Sequence, residues 1–405
     1  VKILLVDRSG RGHAVADALT RTSPGTEVHY APGCDAIATP RVRSFQELTL
    51  ADPAPLVEHA RREAVDLVVV TNAAALANGF VDAFHAAGLP VVGPDRAASR
   101  LESSKVYAKD LFVRYGIPTP EHRAFDSADD ARAFVRGVTH QVVVKADGLC
   151  GGNGAFVCDD IADALAAIDR LMVQRVFGAA GDRIVIERRV HGTEFSFFAL
   201  LDGESFLTLP MALDYPKSDD GNRGVISGGM GAISHHPLET PELVRKVEQT
   251  LLVPLLRCIA DNALRYTGPI YLGCMLVGDE PVLLEVNVRF GDPEAEVVLP
   301  RVESDFAEVC AAIHARRLAG VRLHLNDVHF CNTVATQGPT DGFAGWPFGE
   351  FGRGYPVSGA GAVPRDECIV FVGEATVLPG RGLVSDGGRV LHVVGFGASA
   401  REAAE

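Results

Sequence analysis

Two stretches of this chain carry residue types whose order points to chemistry. The first is Lys145-Ala-Asp-Gly-Leu-Cys-Gly-Gly-Asn-Gly-Ala155. Gly148, Gly151, Gly152 and Gly154 let several backbone N–H groups turn toward one point and wrap phosphate oxygens, and Lys145 just ahead of them can neutralise the charge. No Gly-Lys-Ser/Thr leads from this loop into a helix, so it is not a P-loop; it joins two strands. The second stretch is Leu284-Glu285-Val286-Asn287-Val288-Arg289-Phe290-Gly291-Asp292-Pro293-Glu294. A period of two puts Glu285, Asn287 and Arg289 on one strand face and turns Leu284 and Val286 toward a core. A carboxylate beside an amide oxygen suits Mg²⁺ (or Mn²⁺), which takes few protein oxygens and completes its shell with nucleotide phosphates. Arg289 next to them is placed to hold an anionic substrate or transition state. A phosphate flap together with a metal strand specifies a nucleotide site more sharply than either alone. The turn Gly10-Arg11-Gly12 is a weaker signal. Val15 stands at the third glycine position, and the second strand ends in Tyr30-Ala31 without a ribose-binding acid, so no dinucleotide site is expected there.

The elements that must position these residues alternate in type. Lys2–Val6, Val28–Ala31, Asp66–Thr71 and Pro90–Val92 read as strands separated by helices at Ala14–Thr20, Ala54–Ala64 and Gly79–Ala87. That order predicts a parallel sheet with helices on both faces. A helix follows over Ala97–Tyr115, another over Asp126–Arg136, then strand Gln141–Lys145, the glycine loop and strand Ala155–Cys158. Ile161–Met172 is helical, and strands run from Ile184 to Ala212. A polar, glycine-rich loop spans Asp214 to Gly231, too long for a simple turn and of the length that functional lids have. Helices at Pro241–Tyr266 and Asp305–Leu318 flank strands Ile270–Val277 and Pro281–Val286. Strands Val328–Thr336, Ile369–Val372 and Val390–Gly395 lie near the end.

Composition bounds the partners. The chain has 405 residues, 47% hydrophobic and 22% charged, with a net charge of −14, which predicts a folded α/β protein and argues against nucleic acid. No apolar run reaches membrane-span length and no leader segment is expected, so the chain reads as cytoplasmic with no membrane partner. Eight cysteines are scattered without a Cys-x-x-Cys pair and the 13 histidines show no His-Glu-x-x-His motif, which predicts free thiols and neither a structural zinc site nor a histidine-based metal site.

With Gly-Gly-Met-Gly-Ala at 228–232 added to the flap and the metal strand, the sequence resembles the phosphoribosylamine–glycine ligase family of ATP-grasp enzymes. Further matches are Gly10-Arg11-x-His13-Ala14, Ala31-Pro32-Gly33, Ser104-Lys105, Lys109-Asp110, Leu209-Pro210-Met211-Ala212 and Asp386-Gly387-Gly388-Arg389-Val390. The resemblance implies a Rossmann-like N-terminal domain (1–98), an ATP-grasp domain (99–320, flap lobe about 120–190) and a C-terminal β-rich domain (321–405). The family's last helix is expected to be cut short within Ala398–Glu405. The resemblance further implies an ATP-dependent amide ligase acting through an acyl phosphate, either a monomer or a homodimer. It assigns Lys105, Lys145 and the flap glycines to ATP phosphates, Glu187 and the backbone at Val190 to adenine, Glu194 to ribose, and Glu285 with Asn287 to the metal. Arg289, Lys145 and Asp292 become catalytic candidates. Arg8, Gly10, Arg11, His13, Asp214, Lys217, Gly229, Met230 and Arg289 become candidates for binding an amino acid or other carboxylate and an amine acceptor.

Departures cluster on the acceptor side. The family loop Gly-Asn-Gly-Gly-Arg-Glu-His reads Asp7-Arg8-Ser9-Gly10-Arg11-Gly12-His13, so the acid before the histidine is missing. A second family acid is Ala73, the loop motif Asp-His-Lys-Arg is Asp214-Tyr215-Pro216-Lys217, and the flap's second lysine is Asn153. Asp7 is a possible substitute for one acid. The expectation is a ligase with a rewritten amine pocket. The alternatives are the family's own purine-pathway reaction and a nucleotide-binding protein without turnover.

Overall fold

The apolar run at the start becomes β1 (Lys2–Asp7), the centre of a parallel sheet with β2 (Glu27–Pro32), β3 (Val42–Ser44), β4 (Leu67–Val70) and β5 (Val91–Val92) in the order β3-β2-β1-β4-β5. Side chains on both faces of β1 are fully buried, as a helix-covered parallel sheet requires. The strand order reverses at β1, so the crevice beyond the carboxyl ends of β1 and β4 is where such sheets place ligands. A computed structural model describes all residues except 222, 340, 341, 343, 348–350, 361 and 362.

The first helix is longer than its apolar pattern suggests. It is α1 (Gly10–Thr22), capped by Ser9, whose hydroxyl accepts from Gly12 N. Gly10-Arg11-Gly12 is therefore its first turn and not a loop. The helix expected over Ala97–Tyr115 is two, Arg100–Ser103 and Lys105–Arg114, broken where Ser104 turns extended and caps the second by accepting from Tyr107 N. That break sets Lys105 at a helix N-terminus.

Four strands form the flap lobe: β6 (His122–Phe125), β7 (Val142–Ala146), β8 (Ala155–Cys158) and β9 (Ile184–Arg188), ordered β6-β9-β7-β8. The lobe has its own core, with Phe125, Val144, Ile168 and Ile186 at its centre. A second antiparallel sheet contains β10 (Thr193–Leu201) and β11 (Phe206–Thr208) with β16 (Gly268–Val277) and β17 (Glu280–Asn287). The stretch expected to be a loop from Asp214 is structured. It holds β12 (Leu213–Asp214), a hairpin of β13 (Lys217–Asp219) with β14 (Arg223–Ile226), and β15 (Gly231–Ser234). β12 and β15 join a sheet with strands from the end of the chain: β18 (His329–Thr336), β19 (Ile369–Val372) and, beyond the hairpin of β20 (Ala375–Leu378) and β21 (Gly382–Ser385), β22 (Arg389–Gly397). Its order is β12-β15-β18-β22-β19.

One hydrophobic core runs from α1 (Val15, Leu19) through Val298 to Phe371 and Val394 of the C-terminal sheet. The opposite side of the N-terminal sheet shares a second core with Phe197, Leu255 and Leu272. These shared cores fix the carboxyl end of β1 against β17 and β22. No helix among the described residues is long and apolar enough to cross a membrane.

Candidate active site

β7 carries Lys145 near its end, and β8 returns antiparallel with Ala155 opposite it, so the glycine loop is the tip of this hairpin. Asp147 ties the tip to the rest of the site: its carboxylate accepts from Val106 N at 2.8 Å and from the Ser104 hydroxyl at 3.0 Å, and its carbonyl accepts from Lys105 N. Gly152 has φ +86°, and a Cβ there would lie 2.8 Å from Gly228 Cα. The flap therefore rests directly on the Gly-Gly-Met-Gly segment, a close approach that only glycine permits.

Beneath the flap sits a buried ion-pair hub. Glu187, on β9, lies 3.0 Å from Lys145 Nζ through one oxygen and 3.1 Å from Lys109 Nζ through the other. All three residues are at most 7% exposed. Lys109 also donates to the Thr119 hydroxyl at 2.6 Å. Burial, reinforced by Lys145 and opposed by Glu187, pulls the Lys109 ammonium down to about 8. In the sequence Lys109 stands out only as a family match. Its position four residues after Lys105, one helical turn on, is the signal that could have found it. Glu187, expected at adenine, has both oxygens engaged by lysines. Val190 follows shortly after β9, and Glu194 stands exposed on β10 with its carbonyl accepting from His236.

The metal strand keeps the anticipated alternation from Glu285 onward, with Val286 and Val288 in the core; Leu284, expected there too, is only half-buried, because the register shifts at this point and Leu283 takes the core position. Asn287 donates to Glu285 Oε1 at 3.2 Å, and Arg289 Nη2 donates to Asn287 Oδ1 at 3.0 Å. Burial alone would raise the Glu285 carboxyl, but Lys105, Lys145 and the Asn287 hydrogen bond outweigh it and keep it below the usual range. Gly273 opposite leaves room, since a Cβ there would meet Glu285 Cγ at 3.0 Å. An ionised carboxylate and an amide oxygen on one face, with two lysines close by, make an all-oxygen donor set that fits Mg²⁺ beside phosphates. Arg289 is held by Glu102, which also accepts from Val288 N at 2.9 Å. No sequence signal marks Glu102, which lies in a helix far away along the chain.

The other wall is built by the carboxyl end of β1. Asp7 is fully buried and accepts from Arg8 N, Ser9 N, the Ser9 and Thr71 hydroxyls, and Arg11 Nε at 3.1 Å. Arg11 in turn donates through its backbone N to Asp292 at 3.2 Å and through Nη1 to the Phe290 carbonyl. The absent acid at position 12 has a physical counterpart here. A Cβ on Gly12 would lie 2.7 Å from Asp7 Cβ and collide with the Tyr30 hydroxyl, so Asp7 and Tyr30 fill the space a side chain would need.

Several substrate candidates are committed elsewhere. Arg8 is paired with Asp386. His13, which burial holds neutral with a value near 3, accepts from Val372 N at 2.9 Å and packs edge-on against Phe371, so it anchors the C-terminal sheet. Gly10 faces Glu296 and His392. Met230 lines an apolar recess with Tyr215, Ile233 and Cys331. Lys217 begins the hairpin strand β13. By contrast, Asp214 and Gly229 meet the turn that carries Asp292. Gly229 has φ +106°, and a Cβ on it would collide with Pro293 Cδ; Asp214 Oδ1 beside it is buried. Burial and the neighbouring Glu294 push the Asp214 carboxyl well above the ordinary range. Arg389 joins this wall by donating to the Gly228 and Asp292 carbonyls, both at 2.6 Å. The sequence shows it only within a family motif.

Comparison with known proteins identifies relatives along the whole chain. The family model for the phosphoribosylglycinamide synthetase N domain matches residues 1–102, and that for its ATP-grasp (A) domain matches residues 103–295. The phosphoribosylamine–glycine ligase of Allochromatium vinosum is 39% identical over 404 residues, covering 100% of this chain and 92% of the relative. That of Rhizobium meliloti is 37% identical with the same coverage of 100% and 92%. The crystal structure of phosphoribosylamine–glycine ligase from Thermotoga maritima superposes with a TM-score of 0.76 at 27% identity, covering 100% of this chain and 94% of that one. Biotin carboxylase from Campylobacter jejuni, 13% identical with a TM-score of 0.66 over 99% and 88% of the two chains, shares the fold. The chain belongs to the phosphoribosylamine–glycine ligase family and is an ATP-grasp enzyme that forms a carbon–nitrogen bond.

Proposed function

We propose that the protein joins glycine to phosphoribosylamine with consumption of ATP. In this reading the γ-phosphoryl group moves to a glycine carboxylate oxygen, and the amine then attacks the acyl carbon and expels phosphate. Lys105, Lys145 and Lys109 offset phosphate charge under the flap, and Arg289, fixed by Glu102, orients the carboxylate end of the amino acid. Glu285 and Asn287 would hold Mg²⁺, which when bound would supply positive charge against the nucleotide phosphates. On the other wall, Asp214 and Glu294 offer carboxyl oxygens to the incoming amine and to the proton it must lose.

The observation that carries this acceptor is Asp7. An acid missing from α1 would argue for a different amine; the Asp7 side chain, which reaches the space beside Gly12 from β1 and brings a carboxylate to this wall, weakens that argument. Ala73 favours the second reading, a different amine, because no acid stands at that position. The test is ADP release with glycine crossed against a panel of amines that includes phosphoribosylamine. Release that depends on phosphoribosylamine and yields glycinamide ribonucleotide supports the first reading. A larger kcat/KM with another amine refutes it.

A further inference from the structure

A second cluster of ligating groups lies outside the nucleotide strand, where three segments of the chain meet. Glu296, in the short helix Ala295–Val298, is fully buried, and neither of its carboxylate oxygens has a hydrogen-bond partner. Asp292 Oδ1, also buried, is held by its ion pair with Arg389 Nη1 at 3.1 Å. His392, 1% exposed on β22, lies between the carboxylates, with Nε2 3.5 Å from Asp292 Oδ1 and Nδ1 3.7 Å from Glu296 Oε1. One ligand atom from each of Asp292, Glu296 and His392 falls within 4.8 Å of the others. Gly10 at the start of α1 closes the cluster, because a Cβ there would come within 2.5 Å of Glu296 Oε1 and the His392 ring.

Charge around this cluster is unbalanced. Arg11 is matched by Asp7 and Arg389 by Asp292, at 3.1 Å in each case, which leaves Glu296 without a cation. A proton on Glu296 supplies one donor and serves one acceptor. It leaves the other Glu296 oxygen unserved. A divalent ion serves several at once. Its bonds to oxygen and imidazole nitrogen are ~2.0–2.2 Å, which sets tetrahedral ligand atoms ~3.3 Å apart. Only one ring nitrogen of His392 can take the ion, so the three ligand atoms, within 4.8 Å of one another, must draw together by up to about 1.5 Å. Arg389 shares the Asp292 oxygen, so Glu296 and His392 are the ligands with most to gain.

We propose that Asp292, Glu296 and His392 form a binding site for a divalent transition metal of the Zn²⁺ type, with the Asn332 amide nitrogen, 3.2 Å from His392 Nδ1, fixing the imidazole ring. One imidazole with two carboxylates suits such an ion better than Mg²⁺, which prefers oxygen throughout. The ion would pin α1, the turn after Arg289 and β22 to one point. Its role is independent of which amine is used.

The test uses the full-length protein, stripped with dipicolinate, desalted and titrated with ZnCl₂ in excess Mg²⁺. Zinc content and the melting temperature are the readouts. The expected result is about one zinc per chain retained through desalting, with a rise in Tm that chelation reverses. Glu296→Gln and His392→Gln should each weaken zinc binding by about 100-fold, the upper range of losses seen even for groups that only support a ligand. Glu285→Gln should leave zinc binding intact, which separates this site from the nucleotide metal. Wild-type protein that retains no zinc overturns the proposal without reference to any variant. Zinc that persists in both Glu296→Gln and His392→Gln, or that is lost in Glu285→Gln, also overturns it.

Discussion

Replacing Asp7 with Asn tests whether a carboxylate at the end of β1 holds the acceptor wall together. The two side chains have the same shape. The amide oxygen can serve the Arg8 N, Ser9 N and Ser9 hydroxyl donors that now meet Asp7 Oδ1. The amide NH₂ would then face Thr71, whose hydroxyl can rotate to accept, and Arg11 Nε, which cannot. Arg11 is 7% exposed and would keep Asp292 and Glu102 as the anions acting on it. Breaking a buried ion pair from one side costs about 3–5 kcal/mol, and the remaining Asp292 contact places this case near the lower end. A loss of about 3 kcal/mol corresponds to a Tm drop of about 3–4 °C when the 405 residues melt as one unit. The dependence on pH gives a sharper check. Burial would raise the Asp7 carboxyl, but Arg11, Thr71 and the backbone N–H groups outweigh it, so its folded value lies below the usual one. A depressed acid contributes stability that is complete above its unfolded value of about 3.9 and is lost as pH falls through the folded value. The gap in Tm between wild type and Asp7→Asn should therefore be constant from about pH 8 to 5 and narrow below about pH 4. Thermal melts across that range measure it. A gap of less than about 1 °C at neutral pH, or one that does not narrow in acid, would refute the reasoning.

Three further outcomes are expected. Gly12→Glu, which restores the family acid, should destabilise the protein by more than about 2 kcal/mol and not improve acceptor use, because Asp7 and Tyr30 occupy the space; a stable variant with raised kcat/KM contradicts this. Glu285→Ala should abolish ligation with the melting curve largely unchanged, since it removes the charged oxygen ligand; normal ADP release would dismiss the magnesium assignment. ATP binding should take up a proton when the pH exceeds about 8, because Lys109 has lost its proton there in the free protein and regains it beside phosphates. Calorimetry in buffers of different ionisation enthalpy measures this, and equal heats in all buffers at about pH 8.5–9 for wild type count against it.

Strand and motif are legible where one short segment determines both. The alternation of Glu285, Asn287 and Arg289 is a property of consecutive residues, and so is the turn imposed by the flap glycines. Partners brought together by the fold are not legible. Glu102 meets Arg289 only after the chain has wrapped around β17, and Arg389 reaches Gly228 from the far end of the sequence. His13 resembles a ligand because histidine beside glycine suggests chemistry; its burial against Phe371 makes it a backbone acceptor. The Gly12 departure reads as a loss because linear comparison sees one position at a time. In three dimensions a residue five places earlier on a neighbouring element occupies the same volume.

The C-terminal sheet borrows β12 and β15 from the middle of the chain, and β15 pairs with β18, which pairs with β22. During synthesis on the ribosome, the segment bearing Asp214 and Gly229 thus emerges long before the strands that complete its sheet. The N-terminal sheet, the flap lobe and the metal strand can all close on residues already made. The acceptor wall cannot, because Arg389 and β22 are still to come. In a nascent chain the proposed nucleotide half therefore assembles while the proposed amine half waits for β22.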